Sequence, residues 1–305
     1  MTNLQPANRR KPDKPWHPLY PFDPHYHKLS VEKHISMHYL DEGPRTDGRA
    51  VVMLHGNPTW SFYYRNLILA LRNDFRCIVP DHVGCGLSDK PQDYPYTLNQ
   101  HIDNIESMLD TLKLDEVDLI LHDWGGAIGM GAAVRKPNRI RRIVALNTAA
   151  FLSKRIPFRI AICKLPLFGD VAIRGLNGFA GAAIHMAVAH AERMTPAVRA
   201  GLLAPYNSWK NRIATLRFVQ DIPMKPSHPT WKTLKQIDDS IAQFRDRPML
   251  IGWGMKDWCF NESFLNTWIE RFPHAEVERY ADAGHYVLED AHERIAPRVL
   301  KFLKA

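Results

Sequence analysis

The stretch that decides the fold reads VDLILHDWGG and covers residues 117–126. Its apolar run from Val117 to Leu121 ends at a turn of small residues, and a helix-compatible stretch follows. A strand, a sharp turn and a helix in this order present a nucleophile at the end of a buried strand, usually within the pattern G-x-S-x-G. Here Asp123 stands at the nucleophile position and Leu121 replaces the first glycine.

A carboxylate at this position rules out ordinary serine-esterase chemistry. Asp123 can instead attack an electrophilic carbon and form a covalent ester, while the following backbone N–H stabilises an oxyanion. A structural interpretation is also open, because aspartate is favoured immediately before the first turn of a helix. The partners of Asp123 in the rest of the chain favour the catalytic interpretation.

Strands and helices alternate along most of the chain. We predict strands at residues 34–40, 51–54, 75–80, 117–121, 140–146, 249–252 and 277–280. We predict helices at residues 61–71, 97–113, 125–136, 264–272 and 290–305. Such alternation predicts right-handed β-α-β units, and hence an α/β fold with a mostly parallel central sheet flanked by helices.

The alternation is interrupted between residues 149 and 230, where helix signals occur without a clear strand. We therefore predict a helical cap at 149–230, inserted between strands of a core formed by residues 29–148 and 231–305. Ligands of open α/β sheets bind at the carboxyl ends of the strands, so the cap would cover the site.

Within the cap we predict helices over residues 175–193, after the N-cap Thr195, and over residues 209–219. Residues 175–191 carry no formal charge. This composition indicates a packed helix, the wall of an apolar tunnel, or a surface that touches lipid.

The net charge is +8 over 305 residues. Much of the excess lies near the N-terminus, in Arg9, Arg10, Lys11 and Lys14. No RNA-binding or helix-turn-helix pattern accompanies it, so we expect no nucleic-acid partner. Attraction to an anionic lipid surface or to an acidic partner stays open.

Residues 1–28 are rich in proline, histidine and basic groups, which predicts a flexible arm whose end packs on the body. Its histidines lack cysteine or carboxylate partners at ligand spacing, so we expect no metal site. The 4 cysteines form no C-x-x-C pair, which indicates reduced thiols in a cytoplasmic protein. No signal peptide or segment of membrane-spanning length is visible, so we expect no transmembrane segment.

Three acid–base residues follow three predicted strands, in the order Asp123, Asp257, His285. We predict Asp123 as nucleophile, Asp257 as the acid that orients the imidazole, and His285 as general base. Asn147, which follows another strand, is neutral and cannot do the electrostatic work of the acid.

Asn57 and Trp124 complete the predicted site. The backbone N–H of Asn57 can pair with that of Trp124 as an oxyanion hole, while the Asn57 amide and the Trp124 indole N–H both donate hydrogen bonds. Two neutral donors beside the nucleophile suit a departing anion such as halide or carboxylate. A structural role for both residues is the alternative.

The motifs HGNPTW (residues 55–60) and HDWGG (residues 122–126), together with Asp257 and His285, resemble the haloalkane-dehalogenase branch of the α/β hydrolases. The Asp/His/Asp set with an Asn/Trp pair is similar to the third subfamily of that branch. The resemblance covers about residues 30–305.

Five further motifs resemble the β-lactone decarboxylases of bacterial long-chain olefin biosynthesis. They are YPF (20–22), PDHVGCGLSDKP (80–91), LNTAAF (146–151), APY (204–206) and FVQDIP (218–223). This resemblance implies conversion of cis-3,4-dialkyl-β-lactones into cis-alkenes and CO2 without a cofactor. It also implies partners among the other pathway enzymes, notably a β-lactone synthetase. For the location we expect the cytoplasm, with a place at the membrane periphery or in a multi-enzyme assembly as further alternatives. The basic N-terminus is not part of the shared pattern.

We therefore predict a lyase that acts on a long-chain hydrophobic β-lactone. The second hypothesis is a haloalkane dehalogenase, a hydrolase that acts through an alkyl-enzyme ester. An epoxide hydrolase is disfavoured, because its relatives use two cap tyrosines and the predicted cap holds only Tyr206. A non-catalytic lipid-binding protein would have no need of the complete triad.

Overall fold

A mixed sheet of eight strands forms the centre of the structure, which is a computed structural model describing residues 14–30, 34–45 and 48–305. The strands in these ranges are β1 (His25–Ser30), β2 (Ile35–Glu42), β3 (Arg49–Leu54), β4 (Cys77–Pro80), β5 (Glu116–Asp123), β6 (Ile140–Thr148), β7 (Met249–Gly254) and β8 (Glu276–Tyr280). Their order across the sheet is β1-β2-β4-β3-β5-β6-β7-β8.

Strands β3 to β8 run parallel, and only β1 and β2 pair antiparallel with their neighbours. The prediction of an α/β fold with a mostly parallel sheet is confirmed. Because parallel strands end at one edge of the sheet, the loops after β3, β5, β6 and β7 meet on the same side.

Ten α-helices lie in the described part of the chain. They are α1 (Arg65–Leu71), α2 (Leu98–Thr111), α3 (Trp124–Arg135), α4 (Phe158–Ile162), α5 (Gly178–Met186), α6 (Pro196–Leu203), α7 (Ile213–Gln220), α8 (Trp231–Ser240), α9 (Glu262–Arg271) and α10 (Val287–Lys304). Thr97 and Thr195 accept backbone N–H groups at the starts of α2 and α6, as predicted. None of these helices combines the length and the apolar character needed to cross a bilayer.

Central strand β5 has apolar side chains on both of its faces. Leu119 and Leu121 belong to the core cluster beneath α2, α3 and α9, whereas Ile120 belongs to the cluster beneath α1 and α10. All three are at most 2% exposed. A strand covered on both faces has no solvent side, which explains why β5 appears in the sequence as a continuous apolar run.

The flexible arm predicted for residues 1–28 stays a prediction, but a regular strand begins before its predicted end. Residues 1–13 lie outside the described residues, but His25–Ser30 forms strand β1 and pairs with β2. His27 points inward and contacts Ser107 at 3.0 Å, while Tyr26 is 53% exposed. Leu29 also packs against the core, but the buried His27 is polar and the exposed Tyr26 is aromatic, so the alternation of this edge strand was hidden in the sequence.

The region between β6 and β7 contains helices and no strand. The continuous helix predicted over residues 175–193 is wrong. A wide turn at Asp170–Gly175, helix α5 and a 3-10 turn at Ala191–Arg193 replace it. Asn177, with φ of 54°, lies between the wide turn and α5 and breaks the helix there. The predicted limits of the cap, 149–230, stay a prediction.

A buried ion pair fastens α10, the helix that follows the His285 loop, to α1. Arg65 donates from Nη1 and Nη2 to the two carboxylate oxygens of Glu289 at 2.5 and 2.7 Å, and both side chains are buried. This two-bond pairing compensates two buried charges, either of which would destabilise the fold if it were buried without its partner.

We expect Glu289→Ala to lower the free energy of unfolding by about 3–5 kcal/mol, because it leaves the Arg65 guanidinium buried without its counter-charge. Urea denaturation measures the effect. The double variant Arg65→Met/Glu289→Leu is the control, since it removes both charges and should recover most of the stability. Equal losses in the two variants would show that packing, rather than the unpaired charge, sets the cost.

Candidate active site

Asp123 lies at the turn between β5 and α3 in a strained backbone conformation, with φ of 51° and ψ of −125°. A non-glycine residue in such a region costs about 1–3 kcal/mol and is held there by its surroundings. The Thr148 hydroxyl donates to the Asp123 carbonyl at 2.5 Å, and the Asn57 N–H donates to Oδ1 at 2.8 Å. The turn therefore projects the carboxylate beyond the carboxyl edge of the sheet.

The sharp turn from β5 through Asp123 into α3, called the elbow below, is possible only because neighbouring segments of backbone approach it closely. A Cβ on Gly56 would lie 1.9 Å from Asp123 Oδ1, and one on Gly125 would lie 1.9 Å from the Leu54 carbonyl oxygen. Leu121, which replaces the usual glycine, fills space left by Gly129, where a Cβ would lie 2.4 Å from a Leu121 methyl carbon. The departure from G-x-S-x-G is thus accommodated within the elbow itself.

Asp257 lies just beyond β7 and orients the imidazole of His285. Its Oδ2 accepts from His285 Nδ1 at 2.8 Å and from the Asn147 amide at 2.9 Å. Its Oδ1 accepts the backbone N–H groups of Cys259 and Phe260 at 2.7 and 3.0 Å. With four donors the carboxylate has little freedom to rotate, so the direction of the imidazole is fixed.

The other ring nitrogen of His285 faces the nucleophile. Its Nε2 lies 3.5 Å from Asp123 Oδ2, and the Phe260 ring stacks on the imidazole at a centroid distance of 5.6 Å. The structure therefore brings the predicted Asp123, His285 and Asp257 into one buried row of carboxylate, imidazole and carboxylate.

The two carboxylates set the protonation of this row. Burial lowers the pKa of His285, but the charges and hydrogen bonds of Asp257 and Asp123 outweigh it and raise that pKa to about 10. Burial raises the pKa of Asp123, yet the hydrogen bond and charge of His285 bring it below the ordinary carboxyl value. The resting site therefore holds an ionised Asp123 carboxylate and a protonated His285 imidazole.

This balance would change if the Asp123 carboxylate were esterified. The negative charge on Asp123 would disappear, and with it one of the causes that raise the pKa of His285. The pKa of His285 would then be lower than in the resting site.

Asn57 and Trp124, the two predicted donors, line a common cavity with Asp123. The Asn57 amide donates to the Thr215 carbonyl at 3.1 Å, which leaves its second N–H for a ligand. The Trp124 ring lies 5.3 Å from that of Phe218. The backbone N–H of Asn57 contacts the Asp123 carboxylate, so its role in an oxyanion hole stays a prediction.

Two residues that position the site were not predicted as such. Asn147, noted in the sequence only as a neutral residue, donates to Asp257. Asp290 is 1% exposed and accepts N–H groups from Gly284, Ala189 and His190. It joins the loop of His285 to the cap. Its position five residues after His285 is the only sequence signal for this role.

Two apolar cavities meet at the nucleophile. The first, of about 130 Å³, extends between Phe151, Leu234 and Phe264. The second, of about 250 Å³, extends along α5 and the wide turn before it. The residues common to both are Asn57, Asp123, Ile160, Phe179 and Cys259. The carboxylate is therefore reached along two separate apolar paths.

The chain is similar to known proteins over nearly its whole length. A family model described as alpha/beta hydrolase fold matches residues 49–292. A cis-3-alkyl-4-alkyloxetan-2-one decarboxylase of Shewanella oneidensis is 47% identical, over 93% of this chain and 89% of that protein. A protein of the same name from Xanthomonas campestris is 44% identical, over 94% and 98% of the two chains.

Haloalkane dehalogenases are more distant relatives. Haloalkane dehalogenase 2 of Mycobacterium tuberculosis is 32% identical, over 93% of this chain and 96% of that protein. A loop variant of haloalkane dehalogenase DbeA from Bradyrhizobium elkanii superimposes with a TM-score of 0.82 at 22% identity, covering 93% and 96% of the two chains. This last likeness shows the fold.

We expect the His285 imidazole to remain protonated at about pH 8, where an ordinary histidine of pKa about 6.5 is neutral. Asp257→Asn should lower the pKa of His285, because Asp257 is the largest of the charges that raise it. An NMR titration of the histidine ring nitrogens measures both values, with the spectrum of His285→Gln identifying the signal. A wild-type signal titrating near 6.5 would contradict the assignment.

The protonated row should also contribute stability in a pH-dependent way. The folded state holds the His285 proton up to about pH 10, whereas the unfolded chain releases it near 6.5. The contribution is therefore complete below about pH 6.5 and is lost as the pH rises toward 10. The difference in unfolding free energy between wild type and His285→Gln should shrink across this interval in urea denaturation. A constant difference would contradict the expectation.

Proposed function

This chain belongs to the α/β-hydrolase fold family, and from that premise we propose that it converts cis-3,4-dialkyl-β-lactones into cis-alkenes and CO2. The observation that carries the proposal is the pair of apolar cavities that meet at Asp123, because the alkyl substituents on the two adjacent ring carbons of the lactone each need an apolar path leading away from the ring. The names of the two most similar decarboxylases cited above support this substrate class.

The first step is displacement at the ring carbon that bears the ring oxygen. A carboxylate oxygen of Asp123 forms a bond to this carbon, C4, while the C4–O bond of the lactone breaks. The electron pair of the broken bond leaves with the ring carboxyl group, which becomes a free carboxylate on C3. Attack at the carbonyl carbon is the alternative that the residues leave open, but it would expel a more basic alkoxide instead of a carboxylate.

The second step releases both products. The bond between C3 and the carboxylate carbon breaks, CO2 departs, and the electron pair forms the C3–C4 double bond. At the same time the C4–O bond to Asp123 breaks and returns its pair to the carboxylate. Inversion at C4 followed by anti departure keeps the alkyl groups on one side, so a cis lactone gives a cis alkene. The steps consume no water, proton or cofactor.

The residues around Asp123 fit these steps. The free N–H of the Asn57 amide and the indole N–H of Trp124 are the donors that we assign to the carboxylate expelled in the first step. Asp257 maintains the charge on His285, which keeps Asp123 ionised before attack. The apolar lining excludes water and favours loss of CO2 from a poorly solvated carboxylate.

The second candidate is a haloalkane dehalogenase. It is favoured by the same Asp/His/Asp row and the Asn57/Trp124 pair. Asp123 would displace halide and form an alkyl ester, and His285 would then take a proton from the water that attacks the ester carbonyl. Only this pathway uses His285 as a base.

We also propose a β-lactone synthetase as the enzyme that supplies the substrate, and a cytoplasmic location. The four cysteines are all free, which supports a reducing compartment. A strained and water-insoluble lactone is best passed directly from its source, which favours an assembly of the two enzymes or a shared membrane surface.

A paired assay on the purified protein tests the proposed function. One sample receives a cis-β-lactone with two long alkyl chains, and alkene is measured by gas chromatography. The other receives a long-chain bromoalkane, and bromide is measured. We expect rapid alkene and slow bromide, with both lost in Asp123→Ala. Rapid bromide without alkene would assign the dehalogenase reaction instead.

Turnover in water enriched in oxygen-18 separates the two pathways at Asp123 itself. Decarboxylation returns both original oxygens to the carboxylate, whereas ester hydrolysis inserts one oxygen from water. We expect the mass of the peptide containing Asp123 to be unchanged after lactone turnover. His285→Gln should accumulate an alkyl adduct with bromoalkane but not with lactone. Labelled Asp123 after lactone turnover would contradict the proposed steps.

A further inference from the structure

An unusual share of the exposed apolar side chains lies in one stretch of the cap. Ten large apolar residues of the described chain are exposed, and six of them occur between residues 158 and 176. We call these six the cap apolar patch: Phe158 79%, Leu165 56%, Leu167 80%, Phe168 48%, Val171 58% and Leu176 77% exposed. Single exposed apolar residues are ordinary, whereas a group of this kind marks an interaction surface.

The backbone holds one of these side chains outward at a cost. Leu167 has φ of 65°, a left-handed conformation that is rare for a bulky residue. It is also the most exposed member of the patch. Strain that presents an apolar side chain to solvent is expected where that side chain has a binding role.

The charges beside the patch are positive. Lys154, Arg155 and Arg159 are exposed, and none has a carboxylate partner among the residues that the structure describes. Asp170 is the only acidic residue between positions 149 and 191, and it pairs with Arg174. Cations around apolar side chains, with no free acidic residue among them, complement the headgroups of anionic lipids.

The patch adjoins both cavities of the candidate site. Arg155 lines the first cavity, and Arg159 and Phe168 line the second. The same three residues are exposed, so both apolar paths from Asp123 reach the surface beside the patch.

We propose that the cap apolar patch and its three cations dock on the surface of an anionic phospholipid bilayer. The apolar side chains insert among the headgroups, while Lys154, Arg155 and Arg159 contact lipid phosphates. The cavities then face the bilayer, and a water-insoluble substrate enters them without crossing water. Docking is independent of the reaction, whereas this entry of substrate rests on the proposed function.

Co-flotation of the full chain with vesicles tests docking without any substrate. The vesicles contain either phosphatidylcholine alone or equal parts of phosphatidylcholine and phosphatidylglycerol. We expect binding to the anionic vesicles, much weaker binding to the neutral ones, and a decrease with added salt. Equal binding to both kinds of vesicle, or none to either, would overturn the proposal.

Two matched leucine variants assign the binding to the patch. Leu167→Asp should weaken binding to anionic vesicles by about tenfold or more, the size expected when one inserted leucine is lost. Leu69→Asp places the same change at an exposed leucine of α1, outside the cap, and should bind as wild type. Equal effects of the two changes would overturn the proposal, and thermal melts verify that both variants are folded.

A third variant excludes the N-terminal charges as the source of binding. In it Arg9, Arg10 and Lys11 become glutamine. If this variant alone loses binding and Leu167→Asp does not, the docking surface lies elsewhere and the proposal is overturned. It is likewise overturned if Leu167→Asp abolishes self-association in sedimentation without affecting vesicle binding, since the patch would then contact a second copy of the chain.

Activity separates this proposal from the function on which part of it rests. Leu167→Asp should decarboxylate a short-chain, water-soluble β-lactone as fast as wild type, but should be slowed with a long-chain lactone delivered in anionic vesicles. Equal rates of the two proteins on the vesicle substrate would refute entry from the bilayer. Absence of alkene from wild type with either lactone would refute the proposed function and leave the vesicle-binding result unaffected.

Discussion

Two buried carboxylates share one imidazolium, and most features of the site maintain that arrangement. Four donors surround the buried carboxylate of Asp257 and hold it in place. Asp123 remains ionised because His285 and a backbone N–H compensate for its burial. The parallel strands bring these residues from distant parts of the chain to one edge of the sheet. The fold is therefore what holds the two carboxylates and the imidazolium close enough to compensate one another's burial.

Much of this could be predicted from the sequence because local signals coincide with the site. The buried strand before Asp123, the glycines after it, and the polar residues following β7 and β8 all occupy ends of strands. The register of a parallel sheet then brings them together. The roles that depend on contacts between distant parts of the chain could not be predicted from the sequence. The Asn57 amide binds a carbonyl 158 positions away, and no local pattern identifies Thr215 as its partner.

The wrong predictions have physical causes as well. The inward positions of strand β1 include the polar His27 as well as the apolar Leu29, so its burial does not follow a simple alternation of hydrophobicity. Residues 175–193 are rich in good helix formers, but Asn177 adopts a left-handed conformation and separates α5 from the turn before it. Propensity measures a local preference, and the packing of the cap overrides it here.

The Leu121–Gly129 pair has a consequence for how such a site can arise. A shift from this elbow to one with glycine at position 121 and a side chain at position 129 needs changes at both positions. If Gly129 gains a side chain first, the intermediate contains a clash with Leu121. If Leu121 shrinks first, the intermediate contains only a void, which costs stability but keeps the geometry of Asp123. The order of the two substitutions is therefore constrained, and a lineage with surplus stability could cross between the two elbows while one that is marginally stable could not.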